Sequence, residues 1–85
     1  MEKSDIYIII KKMFIDNYNV KLEYCWYKTN IKDDIGIDSL GLSELSLYIE
    51  EIFDVYATEE DLYDCENVED VVDLIFNLME IKKHA

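Results

Sequence analysis

Apolar residues in this chain recur at intervals of three and four rather than two, the spacing that gives a helix one buried stripe. Ile6, Ile9, Ile10, Met13 and Phe14 predict a first helix that opens after Ser4 or Asp5 and ends near Asn17 or Asn19. Laid on a helical wheel, Leu42, Leu45, Ile49, Ile52 and Phe53 fall together, which predicts a second helix from about Ser39 to Phe53 with that side inward. Thr58 followed by Asp61 has the form of an N-cap with its acidic partner and opens a short third helix over residues 59–64. Asn67 with Asp70 repeats the device. Val68, Val71, Val72, Ile75, Leu78 and Met79 then form a last stripe, with Lys82 and Lys83 suited to the negative end of that helix. The expected fold is all-α, a small four-helix bundle with three longer helices and one short one. Residues 20–38 keep no sustained period, although Leu22, Trp26 and Ile31 are apolar enough to pin them to the bundle. So long a loop in a small domain points to function, and here it delivers the chain to Ser39.

The outer side of the second helix breaks the pattern of a plain surface. It carries Leu40, Glu44, Leu47 and Glu51, with Asp54 nearby, so two leucines stand among carboxylates on a solvent-facing stripe. Leucines supply burial and acids supply steering and register, the combination a protein-docking face needs. Exposed leucines also occur on ordinary surfaces.

Eighty-five residues make one domain, spanning 1–85, near the lower end of what buries a self-sufficient core. An apolar fraction of 51% argues for a folded chain despite a net charge of −12. The charge is uneven: residues 1–38 carry a net −1 and residues 39–85 a net −11. Such a field repels nucleic acid and anionic membranes, favours a monomer, and steers basic partners to the C-terminal half. No apolar run is long enough to cross a bilayer, and Tyr7 to Ile10 is too short and acid-flanked for a signal peptide, so the chain is read as cytoplasmic. Cys25 and Cys65 form no CxxC pair and the single histidine, His84, lies in the tail, so no metal site is expected. Both cysteines are read as small buried hydrophobes.

Catalysis by the chain itself is poorly supported. Nucleophilic chemistry at Ser39 lacks a nearby histidine and a glycine-flanked elbow, and the acidic residues 59–70 lack the glycine-centred loop of a calcium site. A glycine-rich phosphate loop is absent too. Ser39 makes better sense as an attachment point: at the first turn of a helix, free backbone N–H groups and the positive end of the macrodipole hold a phosphate attached to its hydroxyl.

Around that serine, the run Ile35-Gly36-Ile37-Asp38-Ser39-Leu40, then Glu44-Leu45, the Glu50-Glu51 pair, Phe53 and a second acidic turn closely resemble the acyl carrier protein family. The likeness is good over about residues 31–76, and a carrier-like core would span roughly 4–79. The resemblance implies that Ser39, flanked by Asp38 and Leu40, receives 4′-phosphopantetheine from coenzyme A through a separate phosphopantetheinyl transferase. It further implies that the chain is no enzyme but presents thioester-bound acyl groups to loading and transferring enzymes with basic docking surfaces. In such carriers the helices part slightly to shelter the acyl chain, which makes Leu45, Ile49, Phe53, Val71 and Ile75 the candidates to line that space here.

Some positions depart from the family's pattern. Gly41 and Ile52 stand where acids are common, no proline precedes the third helix, and seven tyrosines with Trp26 are many for a housekeeping fatty-acid carrier. Fatty-acid, polyketide and related specialised pathways therefore stay open. So does a peptidyl or aminoacyl carrier of the D-alanyl type, although the run before Leu40 fits an acyl carrier better. From a different class, an unmodified acidic helical adaptor also stays open.

Overall fold

A computed structural model describes all 85 residues, and it is helical without any strand. Helix α1 spans Lys3–Tyr18, α2 Ser39–Phe53, α3 Glu59–Tyr63 and α4 Val68–Lys83, with one 3-10 turn at Leu22–Tyr24. The expected bundle of three longer helices and one short one is what forms.

Capping sets the boundaries. Helix α1 begins at Lys3, earlier than the expected opening after Ser4 or Asp5, because Asp5 acts from inside the first turn and accepts from the Glu2 N–H at 2.9 Å. It ends on Asn19 in the left-handed region (φ 58°). Thr58 Oγ1 accepts from Asp61 N–H at 3.0 Å, and Asn67 exchanges bonds with Asp70, as the two cap patterns predict. Lys82 Nζ donates to the Asp54 carbonyl at 2.6 Å, so the end of α4 closes over the end of α2.

Nineteen buried apolar residues form one core. Helix α1 packs chiefly on α4, while α2 contacts α3 and α4. Ile6, Ile10 and Phe14 meet Val68, Val71, Val72 and Ile75 in that core, all of them essentially without solvent contact. Three stripe residues reach only its edge, since Ile9, Leu78 and Met79 are half-buried. Ile52 is 47% exposed and does not face inward. It lies at the border of the apolar arc, and the chain turns into the left-handed Asp54 before anything covers it.

The long connection is pinned differently from expectation. Leu22 and Trp26 are exposed, and among the three expected anchors Ile31 alone is buried. The other anchors are Cys25, Thr29 and Ile37. Backbone bonds from Ile31 N–H to Glu66 O (2.9 Å), Val68 N–H to Thr29 O (3.1 Å) and Glu69 N–H to Tyr27 O (3.0 Å) staple the loop across the α3–α4 turn. Pairing of this kind joins residues far apart in the chain and leaves no periodic trace.

Candidate functional site

Gly36 adopts φ 81°, a left-handed conformation that glycine takes without strain, and turns the chain into α2. Ile37 then drops into the core and Asp38 becomes the N-cap. Asp38 Oδ1 accepts from Gly41 N–H at 2.8 Å and its carbonyl accepts from Leu42 N–H at 2.9 Å. Ser39 is thereby the first residue of the helix, with its side chain exposed. Capping belongs to Asp38, so the serine hydroxyl is spare.

This arrangement fits a phosphate-linked group. The N–H groups of Ser39 and Leu40 lie in the first turn, where no intrahelical acceptor exists, and the positive end of α2 favours an anion. The Asp38 carboxylate is drawn back onto Gly41 rather than facing outward alone.

Gly41 has a role that its place in the sequence did not disclose. A Cβ there would sit 3.0 Å from Ile37 Cγ2, so glycine lets the incoming loop lie tight against the first turn. Its carbonyl accepts from the Tyr18 hydroxyl at 3.1 Å, joining the end of α1 to the start of α2. Tyr18 is half-buried, and that burial, with help from Glu44, Tyr48 and Asp38, pushes its hydroxyl up to about 12 from 10.0. The fold thus holds this proton more tightly than the unfolded chain does. The linked stability is whole below pH 10 and is lost as pH climbs through about 12. Tyr18→Phe should therefore flatten the fall in stability between those values, read by urea unfolding at stepped pH. Curves parallel to the parent protein would refute the linkage.

Leu40, Glu44, Leu47 and Glu51 are all exposed on one face of α2, and Leu40 and Leu47 are 67% and 61% exposed. Asp54 is different: it is the left-handed C-cap of α2, and Lys82 pairs with its carboxylate and lowers its pKa. Two serines tie this helix to α3 and to the turn before it, Ser43 Oγ donating to Glu59 Oε1 and Ser46 Oγ to the Ala57 carbonyl, each at 2.6 Å. Leu45, Ile49, Val71 and Ile75 have no exposure and Phe53 has 7%, so these five side chains form closed core. Cys25 and Cys65 are buried free thiols; burial raises both, Cys65 to about 11 with Asp70 and its acidic neighbours adding. No three acidic, cysteine or histidine side chains converge as a metal ion requires, and no helix is long and apolar enough to cross a membrane.

A family model described as the phosphopantetheine attachment site matches residues 27–75, a span that contains Ser39. An acyl carrier protein of Coprothermobacter proteolyticus is 32% identical over 75 residues, covering 88% of this chain and 92% of that protein. The chain belongs to the acyl carrier protein family. Acyl carrier proteins of Syntrophus aciditrophicus and Phytoplasma mali are each 36% identical, over 66 and 67 residues. Those matches cover 78% and 79% of this chain, and 82% and 74% of the two relatives. As an acyl carrier protein the chain is a phosphopantetheine carrier and not an enzyme, and its family implies work with a phosphopantetheinyl transferase and acyl-handling enzymes.

Proposed function

We infer that Ser39 is the residue that bears the phosphopantetheine arm, and that the 85 residues act as a single cytoplasmic, monomeric carrier domain. The observation that carries this reading is an exposed serine at the first position of a helix whose cap is supplied by its neighbour. In the transfer, the Ser39 Oγ–P bond forms as the pyrophosphate P–O bond of coenzyme A breaks. The hydroxyl proton is lost and adenosine 3′,5′-bisphosphate leaves. The bound group supplies a terminal thiol that takes acyl groups as thioesters. The chain's own residues would hold the root: Asp38 fixes the helix start, and the first-turn N–H groups and Leu40 would flank the phosphate.

Burial of Cys25 and Cys65 supports the same reading. With both thiols shielded and raised, neither competes with a thiol borne outside the fold for acyl groups.

The exposed stripe of Leu40, Glu44, Leu47 and Glu51 is assigned to docking on basic partner surfaces of acyl-loading and acyl-transferring enzymes in fatty-acid, polyketide or related specialised biosynthesis. Asp54, already paired with Lys82, is a weaker contributor. Glu44→Lys or Glu51→Lys should weaken partner binding about fivefold to tenfold at low salt, with the loss shrinking as salt rises. Glu66→Lys, on an exposed side chain beyond α3, should leave affinity nearly unchanged. Titration of all three variants against a partner enzyme checks this, and equal losses would reduce the claim to net charge.

Incubation with coenzyme A and a broad-specificity phosphopantetheinyl transferase, followed by intact mass and site mapping, tests the central assignment. The expected result is one phosphopantetheinyl group at Ser39. A folded chain that gains nothing would favour an unmodified adaptor instead.

A further inference from the structure

The largest cleft on the molecule, about 520 Å³, lies outside the core, where the end of α1 meets the connection over residues 20–38. Tyr18, Val20, Tyr24, Trp26 and Ile35 supply its apolar walls, and Asn19, Lys21, Glu23, Thr29 and Asp34 make up a polar half. We propose that this cleft shelters the acyl group at the end of the arm, and that its cargo is a short planar or aromatic acyl group stacked on Trp26 and Tyr24. The inference rests on the reading of Ser39 as the arm's root.

Position favours it. The Tyr18 hydroxyl in the cleft wall bonds the carbonyl of Gly41, two residues beyond Ser39, so the wall is joined to the turn that bears the arm. Asp34 and Ile35 run directly into that turn. Ser39 lies five residues beyond Asp34, at most roughly 18 Å of backbone even if fully extended. An arm built from a phosphate and two amide-linked units spans a comparable length.

The walls are also preformed. Thr29, almost wholly buried, accepts from Trp26 N–H at 3.0 Å and donates to the Tyr24 carbonyl at 2.8 Å, which fixes the backbone of both aromatic residues. Yet the two side chains are left bare: Trp26 is 58% and Tyr24 66% exposed. Bare aromatic faces held on a braced backbone suit a flat apolar partner, which offers offset stacking at little ordering cost.

Competing sites are less suited. The core around Leu45, Ile49, Val71 and Ile75 is closed, so an acyl group enters it only if the helices part. A cleft beside Phe53 and Met79 opens at the far end of α2, about 21 Å of helix from Ser39. A third cleft, lined by Ser43, Ser46, Leu47, Glu50, Tyr56 and Glu59, offers one aromatic side chain where the first offers a braced pair.

Trp26 is the only tryptophan, so its fluorescence reports on this cleft alone. Ser39 is loaded from coenzyme A, benzoyl-coenzyme A and octanoyl-coenzyme A, with intact mass verifying each product. Acrylamide quenching and backbone amide shifts are then compared. The benzoyl form should lower the quenching constant roughly twofold against the unacylated form, as expected for an aromatic face covered by a ring, and octanoyl should lower it less. Shifts should concentrate at Tyr24, Trp26 and Ile35. Tyr24→Ala removes an exposed side chain, so it should abolish most of the protection with the circular dichroism unchanged. Shifts centred on Leu45, Ile49 and Val71, equal protection by octanoyl, or no protection at all would each overturn the proposal. Absence of any mass gain would instead overturn the assignment of Ser39, and this inference with it.

Discussion

Ser39→Ala is expected to lose phosphopantetheinylation completely while keeping its fold. The acceptor oxygen is gone, and nothing else at the start of α2 replaces it: the nearest hydroxyl, Ser43, is engaged with Glu59 one turn along. The fold has little reason to respond. Helix α2 is capped by Asp38, Ser39 uses only its backbone carbonyl within the structure, and alanine is a better helix former than serine. A change within about 0.5 kcal/mol is the expected cost to stability. Intact mass after treatment with transferase and coenzyme A, beside a thermal melt, reads both quantities. Transfer that persists in this variant would move the arm to another hydroxyl and remove the basis for the site. Asp38→Ala makes the complementary case, since loss of the cap should cost about 1 kcal/mol and loosen the first turn without deleting the acceptor.

Phe14→Ala should be the most damaging single change to the fold. Phe14 is wholly buried between α1 and α4 and meets Tyr18 edge to face with ring centroids 5.6 Å apart. Truncating a buried phenylalanine costs about 3 to 5 kcal/mol. A domain of this length has a total stability of roughly 4 to 13 kcal/mol, so the variant should melt far below the parent or fail to fold. Because Tyr18 is also the side chain that bonds Gly41, a variant that still folds should reorganise the start of α2 as well. Urea unfolding measures the first effect and amide shifts at Gly41 and Leu42 the second. An unchanged unfolding midpoint would refute the packing of α1.

The helices were legible because each is a local device. Periodic apolar residues mark the buried faces, and Thr58 and Asn67 with their acidic partners mark two of the starts. Where a stripe misled, it was at an edge: Ile52 shares the inward arc with Phe53 but lies where no neighbouring element passes. The place of Ser39 at the first turn of α2 was legible for the same reason, since the apolar stripe from Leu42 to Phe53 sets where that helix opens.

The connection over residues 20–38 was legible only in part: its length, Ile31 as an anchor and the burial of Cys25 were expected, whereas Thr29 and Ile37 were not. Its anchors are chosen by partners some forty residues away: Ile31 bonds Glu66, Thr29 bonds Val68, and the buried set is Cys25, Thr29, Ile31 and Ile37 rather than the bulkier Leu22 and Trp26. Gly41 belongs to the same class, because its contact with Ile37 and its bond from Tyr18 exist only once α1 and the loop have packed.

The chain's pattern alone thus determined the four helices, the caps that open α3 and α4, the exposed stripe on α2 and the serine at that helix's first turn, since periodicity and capping act over a few residues. Tertiary structure alone decided that Thr29 and Ile37 rather than Leu22 and Trp26 pin the long connection, why Gly41 must be small, and where a cleft remains open beside Trp26. Those features depend on which distant side chains share a given space, and that is a property of the packed bundle rather than of any window of sequence.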